Sequence, residues 1–181
     1  MTDVSATSLA SLLDDKLAVQ QIGIDDFSSL RHLHASAMRA QTLGVLSDEE
    51  LTLFVQLVYA PEYMDMLARE AVYGGWLNGE LVGTVSWHAA GSSGTTASIG
   101  GIFVRHRRLG IGRRLLATAE GQARQSGFER ISACATANAV PFFLRLGYET
   151  ASRGVRTMPR GCTLPVTFVR KLLPRPRSAL N

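Results

Sequence analysis

Two cysteines, Cys134 and Cys162, are all that 181 residues provide, and they stand in unlike contexts without metal-ligand spacing. That excludes a disulfide framework and a cysteine-built zinc site, and it fits a reducing compartment. No uninterrupted apolar run approaches the roughly 20 residues of a membrane-spanning helix, and the chain does not open on a basic patch followed by a hydrophobic stretch. A soluble, cytoplasmic protein is expected. Internal repeats are absent as well, so a solenoid or array is excluded.

What is present is enough for one good core. A 46% hydrophobic content over this length supports a single domain and makes two full domains a poor fit. The expected organisation is an N-terminal Ser/Thr/Ala/Asp-rich arm at 1–15, one domain at 16–173 and a basic, proline-containing tail at 174–181. The net charge of +4 admits nucleic acid, an acidic surface or a phosphorylated small molecule as partner. Its distribution decides among them. Arg105, His106, Arg107, Arg108, Arg113 and Arg114 crowd around Gly110 and Gly112, whereas a nucleic-acid face more often spreads along a helix or groove. A compact anionic ligand is the better match.

The patterning predicts a mixed α/β order. Leu17–Ile22 reads as a strand. Asp25 or Asp26 caps a helix with apolar positions at Leu30, Leu33, Ala37 and Met38. Ser47 and Glu50 form a capping box opening a second helix through Leu57, ended by Pro61, and Tyr63–Arg69 is a third, short helix. Ala71–Leu77 and Leu81–His88 are antiparallel strands joined by a tight turn at Asn78-Gly79-Glu80. In the next strand, Ala97–Val104, strict alternation puts Ala97, Ile99, Gly101 and Phe103 on one face and Ser98, Gly100, Ile102 and Val104 on the other. A helix from Gly110 to Ser126 has Ile111, Leu115, Leu116, Ala119 and Ala123 on its core stripe. Strand Ile131–Thr136, helix Ala139–Leu146 and strands Tyr148–Val155 and Thr163–Leu172 complete the order, which is not a Rossmann alternation.

Chemistry concentrates at Val104–Arg114, where a strand end, a basic glycine-containing turn and a helix start follow in immediate succession. The unpaired N–H groups and dipole of a helix's first turn attract phosphate oxygens, glycine lets the backbone approach, and arginines add charge-assisted contacts. The pattern is not G-x-G-x-x-G, since residue 115 is Leu115, and no Walker lysine is present. Gly-Ile-Gly after arginines can also be a plain helix N-terminus, so context matters.

Arg107, Gly110 and Gly112 resemble the arginine-or-glutamine, two residues, glycine, one residue, glycine-or-alanine signature of the GNAT family of acyl-CoA-dependent N-acyltransferases. Some 30 residues on, Asn138–Tyr148 is similar to that family's second motif. The resemblance spans roughly 17–173. It implies the GNAT fold, a mixed and mostly antiparallel sheet of about seven strands with helices on both faces, and acetyl-CoA or another acyl-CoA as donor without a metal. It further implies that the backbone of Ile102, Phe103 and Val104 pairs with the pantetheine arm. Arg107, Leu109, Gly110, Ile111, Gly112 and Arg113 would form the diphosphate turn, and Asn138, Phe142 and Phe143 would line the far side.

The chain departs from the family at Phe143, where members often carry a tyrosine that protonates the departing thiolate. The amine acceptor must also lose a proton before it attacks, yet Ala97–Val104 carries no carboxylate. His88, at the end of the preceding strand, is the nearest candidate base by sequence, although a lone histidine there is more often a packing residue. Cys134 is a second candidate beside the acyl group, against its plainer role as a small core residue. His32 and His34 lie on the first predicted helix, where the family's fold often presents acceptor-binding residues, although solvent-facing histidines are the plainer account.

The expected function is transfer of an acyl group, in first place acetyl, to a primary amine within a ternary complex. The alternatives are a non-catalytic acyl-CoA-binding regulatory module and an acyltransferase directed at RNA or a ribosomal protein. Acceptor specificity is expected from the N-terminal helices and the loops at 89–96 and 158–162. The final strand, with Val166, Phe168 and Leu172, is a candidate for pairing in a homodimer.

Overall fold

Seven strands make one sheet, and its connectivity creates the site. The computed structural model describes residues 16–42, 44, 46–91, 94–157, 161 and 163–174. The arm at 1–15, most of the tail, including Arg175 and Arg177, and most of the 158–162 loop lie outside them.

In chain order the elements are β1 (Ala18–Gln21), a 3₁₀ turn at Ile24–Asp26, α1 (Phe27–Thr42), α2 (Asp48–Val58), α3 (Pro61–Ala68), β2 (Ala71–Leu77), β3 (Glu80–Ala89), β4 (Thr96–Val104), α4 (Ile111–Gln125), β5 (Arg130–Ala135), α5 (Val140–Arg145), β6 (Glu149–Thr157) and β7 (Thr163–Leu172). The sheet order is β1-β2-β3-β4-β5-β7-β6, and only β4 and β5 run parallel. β7 lies between β5 and β6, paired with β6 over Thr163–Arg170 and with β5 over Thr167–Leu172; β1 and β6 are the outer strands. Only the middle of the final strand, Thr167–Arg170, is paired on both edges. No helix among the described residues is long and apolar enough to cross a membrane.

Local chemistry explains the elements. Ser47 and Glu50 cap α2 reciprocally, with Ser47 N–H donating to Glu50 Oε2 at 2.9 Å and Glu50 N–H to Ser47 Oγ at 3.3 Å. Pro61 does not stop α2, which already ends at Val58; it occupies the first position of α3, where its missing N–H costs nothing. Asn78 and Gly79 both have positive φ, 51° and 80°, the two-residue hairpin geometry that matches strand twist.

Helices cover both faces. Leu115 of α4 packs over Gly75 and Gly83, while His34 of α1 reaches Thr84 from the opposite side. β3 is consequently buried on both faces, and Leu81–Ser86 is one continuous buried run. The main core joins α4 (Ile111, Leu115, Leu116, Ala119, Ala123) to Val85, Ile131 and Val169. Burying a side chain such as Leu115 contributes about 1.5–3 kcal/mol. Smaller clusters tie α1 and α3 to β2 and α1 to α2.

Strict alternation fails in β4. The ladder with β3 shifts register between Ser86↔Gly101 and Trp87↔Ile99, so Gly100 is an extra, bulged residue. Ala97 and Ile99 therefore join Ile102 and Val104 in the α4-side core, and Phe103 packs with the α1–α2 cluster. A Cβ at Gly100 would collide with the carboxylate of Glu70, which explains glycine at this position.

Candidate active site

The parallel ladder joins β4 to β5 only from Thr96↔Arg130 to Ile99↔Ala133. Beyond it β4 runs on to Val104 while β5 stays with β7 through Cys134↔Phe168 and Ala135↔Thr167. The strands splay, and a cavity of about 630 Å³ opens in the fork. Ile99–Phe103 line one arm and Ala133–Thr136 the other, with Phe143 at the back and α1, α2 and α3 over the front.

Beside the fork lies the basic turn. Gly110 caps α4 at φ 79°, left-handed backbone that glycine adopts without strain, and Arg108 reaches φ 66° in the same turn. Arg114 N–H makes the first bond of the helix, to Gly110 O at 3.1 Å, so the N–H groups of Ile111 and Gly112 have no acceptor within the helix. No acidic side chain stands in this first turn. A Cβ at Gly112 would touch Phe142 at 3.4 Å, which puts α5 directly against the start of α4.

The predicted binding residues divide in this geometry. Ile102 and Phe103 line the fork. Val104 and Leu109 pack against the main core and Ile111 is buried in it, so these three offer backbone rather than side chain. Arg107 is exposed and donates to Ala40 O at 3.4 Å, tying the turn to the end of α1; Arg113 is exposed too. Asn138 sits exposed two residues before α5. Phe143 is only 2% exposed and meets Phe142 and Tyr148 edge-to-face, at 5.3 and 5.1 Å between ring centroids.

The two candidate catalytic residues are not together. Cys134 lines the fork, and burial raises its thiol pKa against the opposing influence of Arg156. His88 lies outside the fork, in a neighbouring groove of about 600 Å³, with Nδ1 3.3 Å from Glu70 Oε1. His32 is exposed as expected, but His34 is not: it is 2% exposed and lines the fork. Its ring bridges the Tyr63 hydroxyl (2.6 Å from Nδ1) and Thr84 Oγ1 (2.6 Å from Nε2) and lies on Phe103 at 4.1 Å. Burial pushes this imidazole down to about 3, so it is neutral at physiological pH. Burial, then the charge of Glu70, raises the Tyr63 phenol, with Arg156 opposing, and it keeps its proton.

Sequence reasoning missed Tyr63 and Glu70, and it gave His34 the solvent-facing reading over the acceptor-binding one. The i, i+4 spacing of His34 from Leu30 and Met38 carried a signal, since both are buried on α1. Glu70, between α3 and β2, carried none. Among the described residues no group of His, Cys, Asp and Glu is arranged to hold a metal ion.

Residues 31–148, more than half of the chain, match the acetyltransferase (GNAT) family. No curated protein matches it in sequence. Among solved structures, a GCN5-related N-acetyltransferase from Rhodopseudomonas palustris is similar at TM-score 0.76 and 19% identity, over 86% of this chain and 95% of that one. The PaiA N-acetyltransferase from Thermoplasma acidophilum, in complex with coenzyme A, gives 0.70 and 15% over 86% and 98%. The ribosomal-protein-S18-alanine N-acetyltransferase from Escherichia coli gives 0.60 and 13% over 91% and 99%. At such identities the likeness is one of fold.

Proposed function

The chain belongs to the acetyltransferase (GNAT) family, and from that premise we propose that it moves an acetyl group from acetyl-CoA to a primary amine by direct attack in a ternary complex. The observation that carries this reading is the conjunction of the β4–β5 fork with a basic, glycine-capped helix start beside it. The N-terminal backbone of α4, with Arg107 and Arg113, would hold the diphosphate, since a helix dipole and arginine both favour phosphate oxygens. The pantetheine arm would lie along Ile102–Val104 in the fork, with Phe142 and Asn138 flanking it. The thioester then meets the acceptor near the Gly100 bulge, where α1, α2 and α3 close the cavity.

Phe143 has no proton to give, so the departing thiolate takes its proton from water or from Tyr63, whose protonated phenol lines the same cavity. The missing hydroxyl at Phe143 and the absence of a carboxylate from Thr96–Val104 also favour a second reading, an acyl-CoA-binding module without turnover. Turnover on an amine panel separates the two. On either reading residues 16–173 act as one domain and the expected compartment is the cytoplasm.

Calorimetric titration of acetyl-CoA into the wild type and Gly110→Asp tests the donor site. Micromolar binding that the substitution abolishes supports it. Folded wild-type protein that binds no acetyl-CoA refutes it.

A further inference from the structure

The groove beside the fork contains a buried carboxylate with one oxygen left unsatisfied. Glu70 has a side chain only 8% exposed, and its Oε2 has no hydrogen-bond partner. It is aimed at the β4 bulge, where a Cβ on Gly100 would strike it. Gly100 lines the fork and Glu70 lines the groove, while Glu62 and Met66 line both, so the carboxylate stands at the partition between the two spaces. A buried carboxylate oxygen without a hydrogen-bond partner is costly, and a cationic donor arriving from solvent would offset that cost.

The groove is built to admit one. Glu62, Asp65 and Glu70 face a single guanidinium, Arg69, and the half-exposed His88. Among the described residues the titratable groups around Glu70 are His88 from β3, 3.3 Å away, Tyr63 of α3, which feels its charge, and Glu62, Asp65 and Arg69, which line the same groove; Thr96–Val104 of β4 has no titratable side chain. An alkylammonium with a pKa near ~10 must be both attracted and deprotonated before it becomes a nucleophile.

We propose that this groove is the acceptor subsite, that the acceptor is a cationic primary amine carrying a second positive charge, and that Glu70 removes the proton of its reacting ammonium. The proposal rests on the acetyltransferase reading above. The ammonium gives one proton to the Glu70 carboxylate; the amine nitrogen bonds to the thioester carbonyl carbon and gives up a second proton as the C–S bond breaks; the departing thiolate takes up that second proton, through water or Tyr63, leaving a neutral amide and the thiol. One proton is released overall, and His88, 3.3 Å from Glu70 Oε1 and reaching solvent, returns it to water. The second charge of the acceptor lies among Glu62 and Asp65.

The probes are 1,5-diaminopentane and pentan-1-amine, with thiol release measured from pH 6 to 10 and acetyl-CoA affinity measured separately. The wild type is expected to favour the diamine at least tenfold in kcat/KM, a preference that Glu62→Gln with Asp65→Asn removes. Glu70→Gln is expected to bind acetyl-CoA within twofold of wild type and to lose about 10²–10⁴-fold in kcat at pH 7. That deficit shrinks toward pH 10 as the free amine forms unaided. Glu70→Asp, which withdraws the charge by one methylene, is expected to lose at least tenfold in kcat and serves if the glutamine variant does not fold. A Glu70→Gln enzyme within threefold of wild type at pH 7, a deficit independent of pH, or a protein that binds acetyl-CoA but acetylates neither amine or prefers pentan-1-amine overturns the proposal. Failure of the wild type to bind acetyl-CoA overturns the donor reading instead.

Discussion

His34 gives this fold an acid-labile point whose size follows from its surroundings. The ring is 2% exposed, bridges Tyr63 and Thr84 at 2.6 Å on either side and stacks on Phe103, so a proton added to it is desolvated. Burial lowers its pKa from 6.5 to about 3. The folded state thus binds the proton later than the unfolded chain does. Stability from this group is fully present above about pH 6.5 and is lost as pH falls toward 3. Between pH 7 and pH 5 the loss integrates to about 2 kcal/mol, close to 1.4 kcal/mol for each pH unit below the unfolded value. Urea unfolding of the wild type and His34→Gln at both pH values isolates this share, because carboxylates titrate equally in both. Expected is a pH 7-to-5 stability loss about 2 kcal/mol larger in the wild type, even though His34→Gln is the less stable protein at pH 7. Equal losses would show that His34 takes up its proton alike in the folded and unfolded states, and the burial argument would fall.

Three further outcomes follow from packing and capping. Gly83→Val would bring a Cβ to 2.7 Å from Leu115 Cδ1 and 3.1 Å from the Phe103 carbonyl, so it should cost about 1–3 kcal/mol and lower the melting temperature by about 2–12 °C. Ser47→Ala removes one half of the α2 capping box and should cost about 1 kcal/mol in chemical denaturation, whereas an unchanged midpoint would mean that α2 starts elsewhere. In a Cys162→Ser background, maleimide labelling of Cys134 should be slow at pH 7, faster as pH passes its raised thiol pKa, and suppressed at least fivefold by saturating acetyl-CoA. Labelling that ignores acetyl-CoA would remove Cys134 from the donor cavity.

The parts of this fold that were legible in the sequence are those governed by local chemistry. The α4 stripe at Ile111, Leu115, Leu116, Ala119 and Ala123 is buried as its spacing requires, and Asn78-Gly79 makes the predicted hairpin. The turn at Gly110 lies where its glycines placed it. What failed was decided between elements. Alternation in β4 presumed an unbroken pleat, and the bulge at Gly100 reverses the facing of Ala97 and Ile99 relative to Phe103. His34 was read as a solvent-side residue because helical spacing alone does not reveal that Thr84 and Tyr63 stand ready as partners for both ring nitrogens.

Glu70 shows the limit most sharply, and it links the failures. A search for a base along β4 finds no carboxylate, because the bulge admits one from outside the strand: removing the side chain at residue 100 makes room for the side chain of residue 70, thirty positions earlier. The glycine and the glutamate therefore form one structural unit, and neither has meaning in the sequence without the other. The same bulge turns β4 away from β5 just past Ile99, so the feature that brings in the charge is also the one at which the fork opens. Under the proposed mechanism a donor held in the fork and an amine held against Glu70 would meet at a single peptide of β4, so the chemistry would converge where the sheet is least regular.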